Sequence, residues 1–266
     1  MKKNETRPYS QEERSGQEKN EEMIIGRNPV IEAMKAGKLI DSIFVNADAR
    51  GSVNLICRMA RERDIPVKQV REAKLDAMAA GASHQGVIAV GACAEYAEVE
   101  DILAAAEAKG EDPFIIICDE IEDPHNLGAI IRTAEAAGAH GVMIPKRRSA
   151  SLNHTVFKTS AGAASYLPVA RVANLAAAVD DLKKRGIWIF GTDGEGQDYA
   201  GADLTGPVGL VIGSEGFGMG RLMKEKCDCL LSLPMAGKVN SLNASVAAGI
   251  FMYEIVRQRR SRIGQG

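Results

Sequence analysis

Three short segments of this 266-residue chain carry side chains suited to holding a small ligand and handling a proton. The first, IEDPHNLGAIIRTAEAAG, contains Asn126 and Arg132 on a predicted helix, where Leu127, Ile130, Ile131 and Ala134 share one face and leave Arg132 on the other. The second, VGLVIGSEGFGMG, sets Glu215 among Gly213, Gly216, Gly218 and Gly220, a glycine density that lets backbone approach a ligand or take positive φ. The third, LSLPMAGKVNSLNASVAAG, brings Ser241 and Asn243 to the start of an apolar helix. An arginine is a permanent cation that can hold a phosphate or steady a developing oxyanion. Asn, Ser and Glu supply hydrogen bonds that orient other groups. Each segment also has a plainer use: Asn126 or Ser241 as a helix cap, Arg132 as an exposed helix arginine, Glu215 as a solvated turn residue. His125 is the histidine of the four that falls in one of these loops, and its ordinary pKa makes it an alternative proton acceptor to Arg132. His84, in SHQG, reads as structural.

Each segment follows or encloses an apolar run that must position it. FIIICDE, GVMIP, LPVARV, IWIFGTD, VGLVIGSE and CLLSLP alternate with helical stretches such as NLAAAVDDLKKRG, and strands apolar throughout imply a parallel sheet covered on both faces. In such a domain ligands bind beyond the carboxyl ends of the strands, where the three segments fall. The first loop has no glycine triplet and the chain has no GxxxxGK[ST] segment, which disfavours a dinucleotide or a nucleoside triphosphate. The last helix, in SLNASVAAGIFMYEIVRQRR, is apolar nearly all round for three turns and calls for burial, partly against another subunit.

The length suits two domains. Residues 1–22 carry almost no apolar side chain and are expected to be a disordered charged tail. Residues 23–94 alternate helix and strand patterns as a small α/β unit, residues 95–112 are an Ala/Glu-rich linker with a short helix, and residues 113–266 form the second α/β domain. The charged start lacks the apolar core of a secretory signal and no apolar run approaches the roughly 20 residues that span a bilayer, so a cytoplasmic protein without a membrane segment is expected. The five cysteines, Cys57, Cys93, Cys118, Cys227 and Cys229, lack partners for a zinc set, and no metal is expected. A net charge of -2 does not by itself advertise a nucleic-acid binder, but Lys146, Arg147 and Arg148 stand together, as do Arg257, Arg259, Arg260 and Arg262.

In this order and spacing the three segments resemble the three motifs of the SpoU (TrmH-like) branch of the SPOUT RNA methyltransferases, over roughly the last 150 residues. DPHNLGAIIRTAEAAG resembles motif 1, GLVIGSEGFGM motif 2 and LPMAGKVNSLNASVA motif 3. The stretch from IIGRNPVIEAMKAGK to SHQGVIAVG is similar to the family's L30e-like substrate-binding domain. The resemblance implies a deep trefoil knot in the C-terminal domain and S-adenosylmethionine as methyl donor, held through Gly213, Leu233 and Leu242. It also implies Asn126, Arg132, Glu215, Ser241 and Asn243 as the catalytic set, and a homodimer with Asn126 and Arg132 near the partner's knot. The substrate it implies is RNA, with a guanosine of large-subunit 23S ribosomal RNA as the target and transfer RNA as the alternative. Two other classes are weighed against it. A catalytically silent RNA-binding module is opposed by the intact second and third motifs, and an NAD-type oxidoreductase by the missing glycine fingerprint.

Overall fold

The computed structural model describes residues 23–263, and the expected tail, residues 1–22, lies outside the described residues. The chain divides into two compact units, the first ending at Gly91 and the second beginning at Ala92.

The first unit runs β1 (Met23–Ile25), α1 (Arg27–Lys35), β2 (Ile40–Asn46), α2 (Ser52–Glu62), β3 (Val67–Val70), α3 (Glu72–Ala79) and β4 (Val87–Gly91). Its sheet has the order β1-β4-β2-β3, with β2 and β3 parallel and the other pairings antiparallel. Val30, Ile31 and Met34 of α1 and Val53, Ile56 and Ala60 of α2 fall at helical spacing, so each helix lays one apolar stripe on Ile43 and Val45 of β2. On the other face Leu75 and Ala79 of α3 cover Ile88. His84 is structural, as expected: its Nδ1 accepts from the Gly86 N–H at 2.9 Å and its Nε2 lies 3.0 Å from Asp76 Oδ1, tying the turn before β4 to α3.

The second unit runs α4 (Val99–Lys109), β5 (Phe114–Cys118), α5 (Pro124–Ala136), β6 (Gly141–Pro145), α6 (His154–Thr159), β7 (Val169–Val172) and α7 (Leu175–Lys184). It continues through β8 (Trp188–Asp198), β9 (Val208–Ile212), α8 (Arg221–Lys226) and β10 (Cys229–Ser232) to α9 (Ala244–Ile263). Its six strands pair in the order β10-β8-β9-β5-β6-β7, parallel throughout. The uninterrupted apolar runs of β5 and β9 are explained by cover on both faces. Leu127, Ile130 and Ile131 of α5 and Phe251, Met252 and Ile255 of α9 close one face, and Ile102 of α4, Val179 and Leu182 of α7 and Met223 of α8 close the other.

The Ala/Glu-rich stretch read as a linker supplies α4. Glu98 and Asp101 form a capping box at its start, and Ile102 is fully buried against Gly141, where an added Cβ would sit 2.4 Å from the Ile102 Cγ1. This stretch is therefore part of the second unit's core. Helix α9 buries Ala248, Phe251, Met252 and Ile255, while Val246, Ile250 and Tyr253 form an outward stripe that is 52%, 37% and 52% exposed. No helix among the described residues is long and apolar enough to cross a membrane.

Candidate active site

The carboxyl ends of β5, β9 and β10 deliver the three segments to one place. After β5, the Asp119 N–H donates to the Ile212 carbonyl at 2.8 Å, and the buried Asp119 Oδ2 accepts from the Gly220 N–H at 2.8 Å. Burial, opposed by that hydrogen bond, pushes the Asp119 carboxyl above its ordinary value. Asp119 thus pins the far end of the glycine loop to the strand beside it.

Helix α5 starts three residues after Ile121 because Asp123 caps it, accepting from the His125 N–H at 3.0 Å, with Pro124 at the first helical position. The cap is therefore Asp123 and not Asn126, which frees the Asn126 side chain for other partners. Asn126 is 9% exposed. Gly128 lets the helix press on α6: an added Cβ would lie 1.8 Å from Thr159 Oγ1.

The glycine loop is a tight turn. Ser214 and Gly218 exchange backbone hydrogen bonds of 3.0 and 2.9 Å, and Gly216 and Gly218 take φ of 85° and 66°, which glycine adopts without strain. Gly213 is required by close approach, since an added Cβ would stand 2.4 Å from Gly218 C and Met219 N. The turn aims Glu215 at the start of α9.

There the segments join. Asn126 Nδ2 donates to Glu215 Oε1 at 3.1 Å, Asn243 Nδ2 donates to Asn126 Oδ1 at 2.8 Å and also to Glu215 Oε1, and the Ala244 N–H donates to the same oxygen at 3.2 Å. Asn243 also caps α9, its Oδ1 accepting from the Ser245 and Val246 N–H groups at 3.0 and 3.2 Å. A carboxylate fed by an N–H at a helix start is favoured there by the helix dipole as well as by the bond. The result is a closed ring of three side chains from three segments.

The other expected residues lie outside this ring. Arg132 sits in the third turn of α5, not near its start, roughly 240° around the helix from Asn126. Its side chain is exposed and makes no hydrogen bond or ion pair among the described residues. Ser241 is exposed in the loop before α9, and Asn243 rather than Ser241 is the cap. His125 is exposed at the start of α5. Leu233 is half-buried against the core beside β10, and Leu242 is 40% exposed, in a loop that also presents Met235 and Val239 to solvent at 39% and 68%. An uncovered apolar loop, tied through Asn243 to a glycine turn, suits a ligand with an apolar ring and a polar tail. Cys118 and Cys227 contribute no nucleophile: burial, then the charge of Asp119 or Asp228, pushes each thiol up to about 12. No group of three His, Cys, Asp or Glu side chains among the described residues could hold a metal ion.

Sequence reasoning missed Asp119, because its partner Gly220 is a hundred residues away. It also missed Asp123, although an Asp before a Pro at a helix start signals a cap.

Comparison with known proteins places this geometry. Residues 113–253 match the SpoU rRNA Methylase family, and residues 23–97 match the RNA 2'-O ribose methyltransferase substrate-binding family. YacO of Bacillus subtilis (strain 168), assigned by name to the TrmH family of tRNA/rRNA methyltransferases, is 52% identical over 89% of this chain and 95% of its own. Among solved structures, an AdoMet-bound rRNA methyltransferase from Sinorhizobium meliloti is 26% identical with a TM-score of 0.54, covering 88% of this chain and 86% of that one. A TrmH/SpoU tRNA modifying enzyme of A. aeolicus is 30% identical with a TM-score of 0.52, over 57% of this chain and 77% of its own. The strand-end site, the two matched domains and these relatives show that the chain belongs to the SpoU (TrmH-like) family of S-adenosylmethionine-dependent RNA 2'-O-methyltransferases.

Proposed function

We propose that this protein methylates the ribose 2'-hydroxyl of a guanosine in large-subunit 23S ribosomal RNA, acting as a cytoplasmic homodimer. The observation that carries the catalytic part is the Asn126–Glu215–Asn243 ring, which locks the glycine turn and the loop before α9 into one frame. Ribosomal RNA is favoured over transfer RNA by coverage: the rRNA methyltransferase aligns along both units, whereas the tRNA enzyme aligns over little more than half the chain. The first unit is then the part that selects the RNA. The tRNA reading is supported by the 30% identity to that tRNA enzyme and by the tRNA/rRNA naming of the Bacillus relative.

S-adenosylmethionine supplies an electrophilic methyl group on a sulfonium. Gly213, Leu233 and Leu242 would hold it, the glycine through backbone and the leucines against the adenine, in loops that the knot of this family brings together. Transfer would need the ribose oxygen in line and its proton passed to solvent water or to His125, exposed at the start of α5. Arg132 holds an RNA phosphate and steadies the developing alkoxide; a guanidinium keeps its proton far above neutral pH, so it acts as an oriented cation and not as a free base. Asn126, Glu215 and Asn243 keep the donor loops in register, and Ser241, exposed in the donor loop, orients the ribose or the donor tail. The stripe Val246, Ile250 and Tyr253 on α9 is the dimer contact, because an apolar stripe of this kind gains from a second copy that covers it. Mapping 2'-O-methyl positions in ribosomal and transfer RNA from a strain lacking the gene tests the assignment. Loss of one guanosine methylation in 23S RNA supports it, and loss confined to a transfer RNA overturns the choice of substrate.

A further inference from the structure

We propose that Lys146, Arg147 and Arg171, on the strand-end edge of the second unit, form a landing surface for the sugar–phosphate backbone of the RNA substrate, distinct from the methyl-transfer residues. The inference rests on the functional reading above and extends it to a part of the molecule that reading leaves unused.

The first support is position. Lys146 follows β6 directly and its N–H donates to the Val172 carbonyl at 2.9 Å, so it lies beside the end of β7, where Arg171 pairs with Ile144. The loop after β6 runs against the loop that leads into α5: the Ala150 N–H donates to the Ile121 carbonyl at 2.8 Å, and Arg148 reaches Glu120 at 2.6 Å. The cations therefore stand one loop away from the start of α5 and Asn126.

The second support is charge. Arg148 is taken by Glu120, but Arg147 is exposed and makes no hydrogen bond or ion pair among the described residues. Lys146 and Arg171 are near enough that burial and then the charge of Arg171 hold the Lys146 ammonium below its ordinary value. An anion bound between two like charges at a partly buried edge is attracted by both. In a chain whose net charge is -2, this concentration is local and not a general basic surface.

The third support is preorganisation. The Arg171 guanidinium lies 3.9 Å from the Tyr96 ring centroid, and the Tyr96 hydroxyl is fixed by the Leu152 N–H at 2.9 Å. Stacking engages the face of a guanidinium, whereas phosphate is recognised at its edge, so the ring holds Arg171 in an orientation compatible with an anion. Phosphate contacts of this kind set register on an RNA without reading its sequence.

The test uses the full-length protein and three substitutions, Lys146→Gln, Arg147→Gln and Arg171→Gln, singly and together. Binding of deproteinised ribosomal RNA and of a short fluorescent oligoribonucleotide of mixed sequence is measured across salt concentrations, and S-adenosylmethionine binding by calorimetry. Each substitution should weaken RNA binding roughly three- to tenfold at about 0.1 M salt and lower the slope of log affinity against log salt by about 0.7 per lost contact on a single strand. Donor affinity should not change. Should Arg171→Gln unsettle Tyr96 and lower the melting temperature, the pair Lys146→Gln and Arg147→Gln still carries the test. Wild-type RNA affinity and salt slope in the combined variant overturn the landing surface alone. A wild-type protein that binds no RNA overturns the functional reading on which it rests.

Discussion

Replacing Glu215 by alanine should both destabilise the second unit and loosen the donor loops. One carboxylate oxygen accepts from Asn126 Nδ2 at 3.1 Å, from the Ala244 N–H at 3.2 Å and from Asn243 Nδ2. Hydrogen bonds to a charged group contribute about 1.5–3 kcal/mol each when whole, but these three share one acceptor on an exposed residue, so a total of about 3 kcal/mol is the reasonable figure. The favourable charge at the start of α9 accounts for roughly 0.3–1 kcal/mol of it. In a domain of roughly 150–250 residues each kcal/mol moves the melting temperature by about 2–4 °C, which predicts a fall of about 6–12 °C for Glu215→Ala. Glu215→Gln keeps an acceptor oxygen and loses the charge, so it should fall by about a third as much. Scanning calorimetry on the full-length variants gives the temperatures, and titration calorimetry should show S-adenosylmethionine binding weakened about tenfold in the alanine variant, equivalent to about 1.4 kcal/mol. A Glu215→Ala protein that melts within about 2 °C of wild type and binds the donor normally would refute the claim that this ring holds the loops together.

Ile250→Glu combined with Tyr253→Glu should convert the dimer to a monomer by light scattering at micromolar concentration, because both residues lie on the exposed stripe of α9; a wild type that is itself monomeric contradicts the interface. A fragment beginning at Ala92, which retains α4 and its buried Ile102, should fold and bind S-adenosylmethionine with wild-type affinity yet methylate ribosomal RNA poorly; selective, fast methylation by the fragment would show that the first unit does not select the RNA. His140 is buried with Nδ1 accepting from the Phe114 N–H at 3.0 Å, so its proton sits on Nε2 facing Glu111 at 3.1 Å, and burial holds the imidazole below its ordinary pKa. The unfolded chain then binds more protons than the folded one below about pH 6.5, so stability should decline as pH falls through that range, and His140→Asn should flatten the decline measured by urea denaturation between about pH 6.5 and 5.

The parts of this molecule legible in the sequence are those where one residue's environment dictates its type. The strands of the second unit read as continuous apolar runs because helices cover both faces, and α9 reads as apolar all round because one side meets the core while Val246, Ile250 and Tyr253 stand exposed on the other. The motif residues Asn126, Glu215 and Asn243 were identifiable, but their ring was not, because it joins positions that only the folded sheet brings together. Pairing also explains why β8 extends to Asp198 although its apolar pattern stops near Thr192: Leu231 and Ser232 of β10 pair with Gln197 and Asp198, and Gly196 allows the Leu230 backbone to pass within contact. The Ala/Glu stretch misled in the opposite direction. Its few large side chains suggested a joint, yet Ile102 pressed onto Gly141, with Ala106 buried one turn on, docks α4 on the core.

The central claim, that this frame delivers a methyl group to an RNA ribose with Arg132 as its cation, is tested most directly by transfer of labelled methyl from S-adenosylmethionine to RNA isolated from a strain lacking the gene. Wild type and Arg132→Ala are compared, with donor affinity measured on the same samples. Label is expected as a 2'-O-methyl nucleoside with wild type, with a fall of at least about a hundredfold in rate for Arg132→Ala and nearly equal donor affinity for both. Label recovered on a base, or undiminished transfer by Arg132→Ala, would contradict the claim.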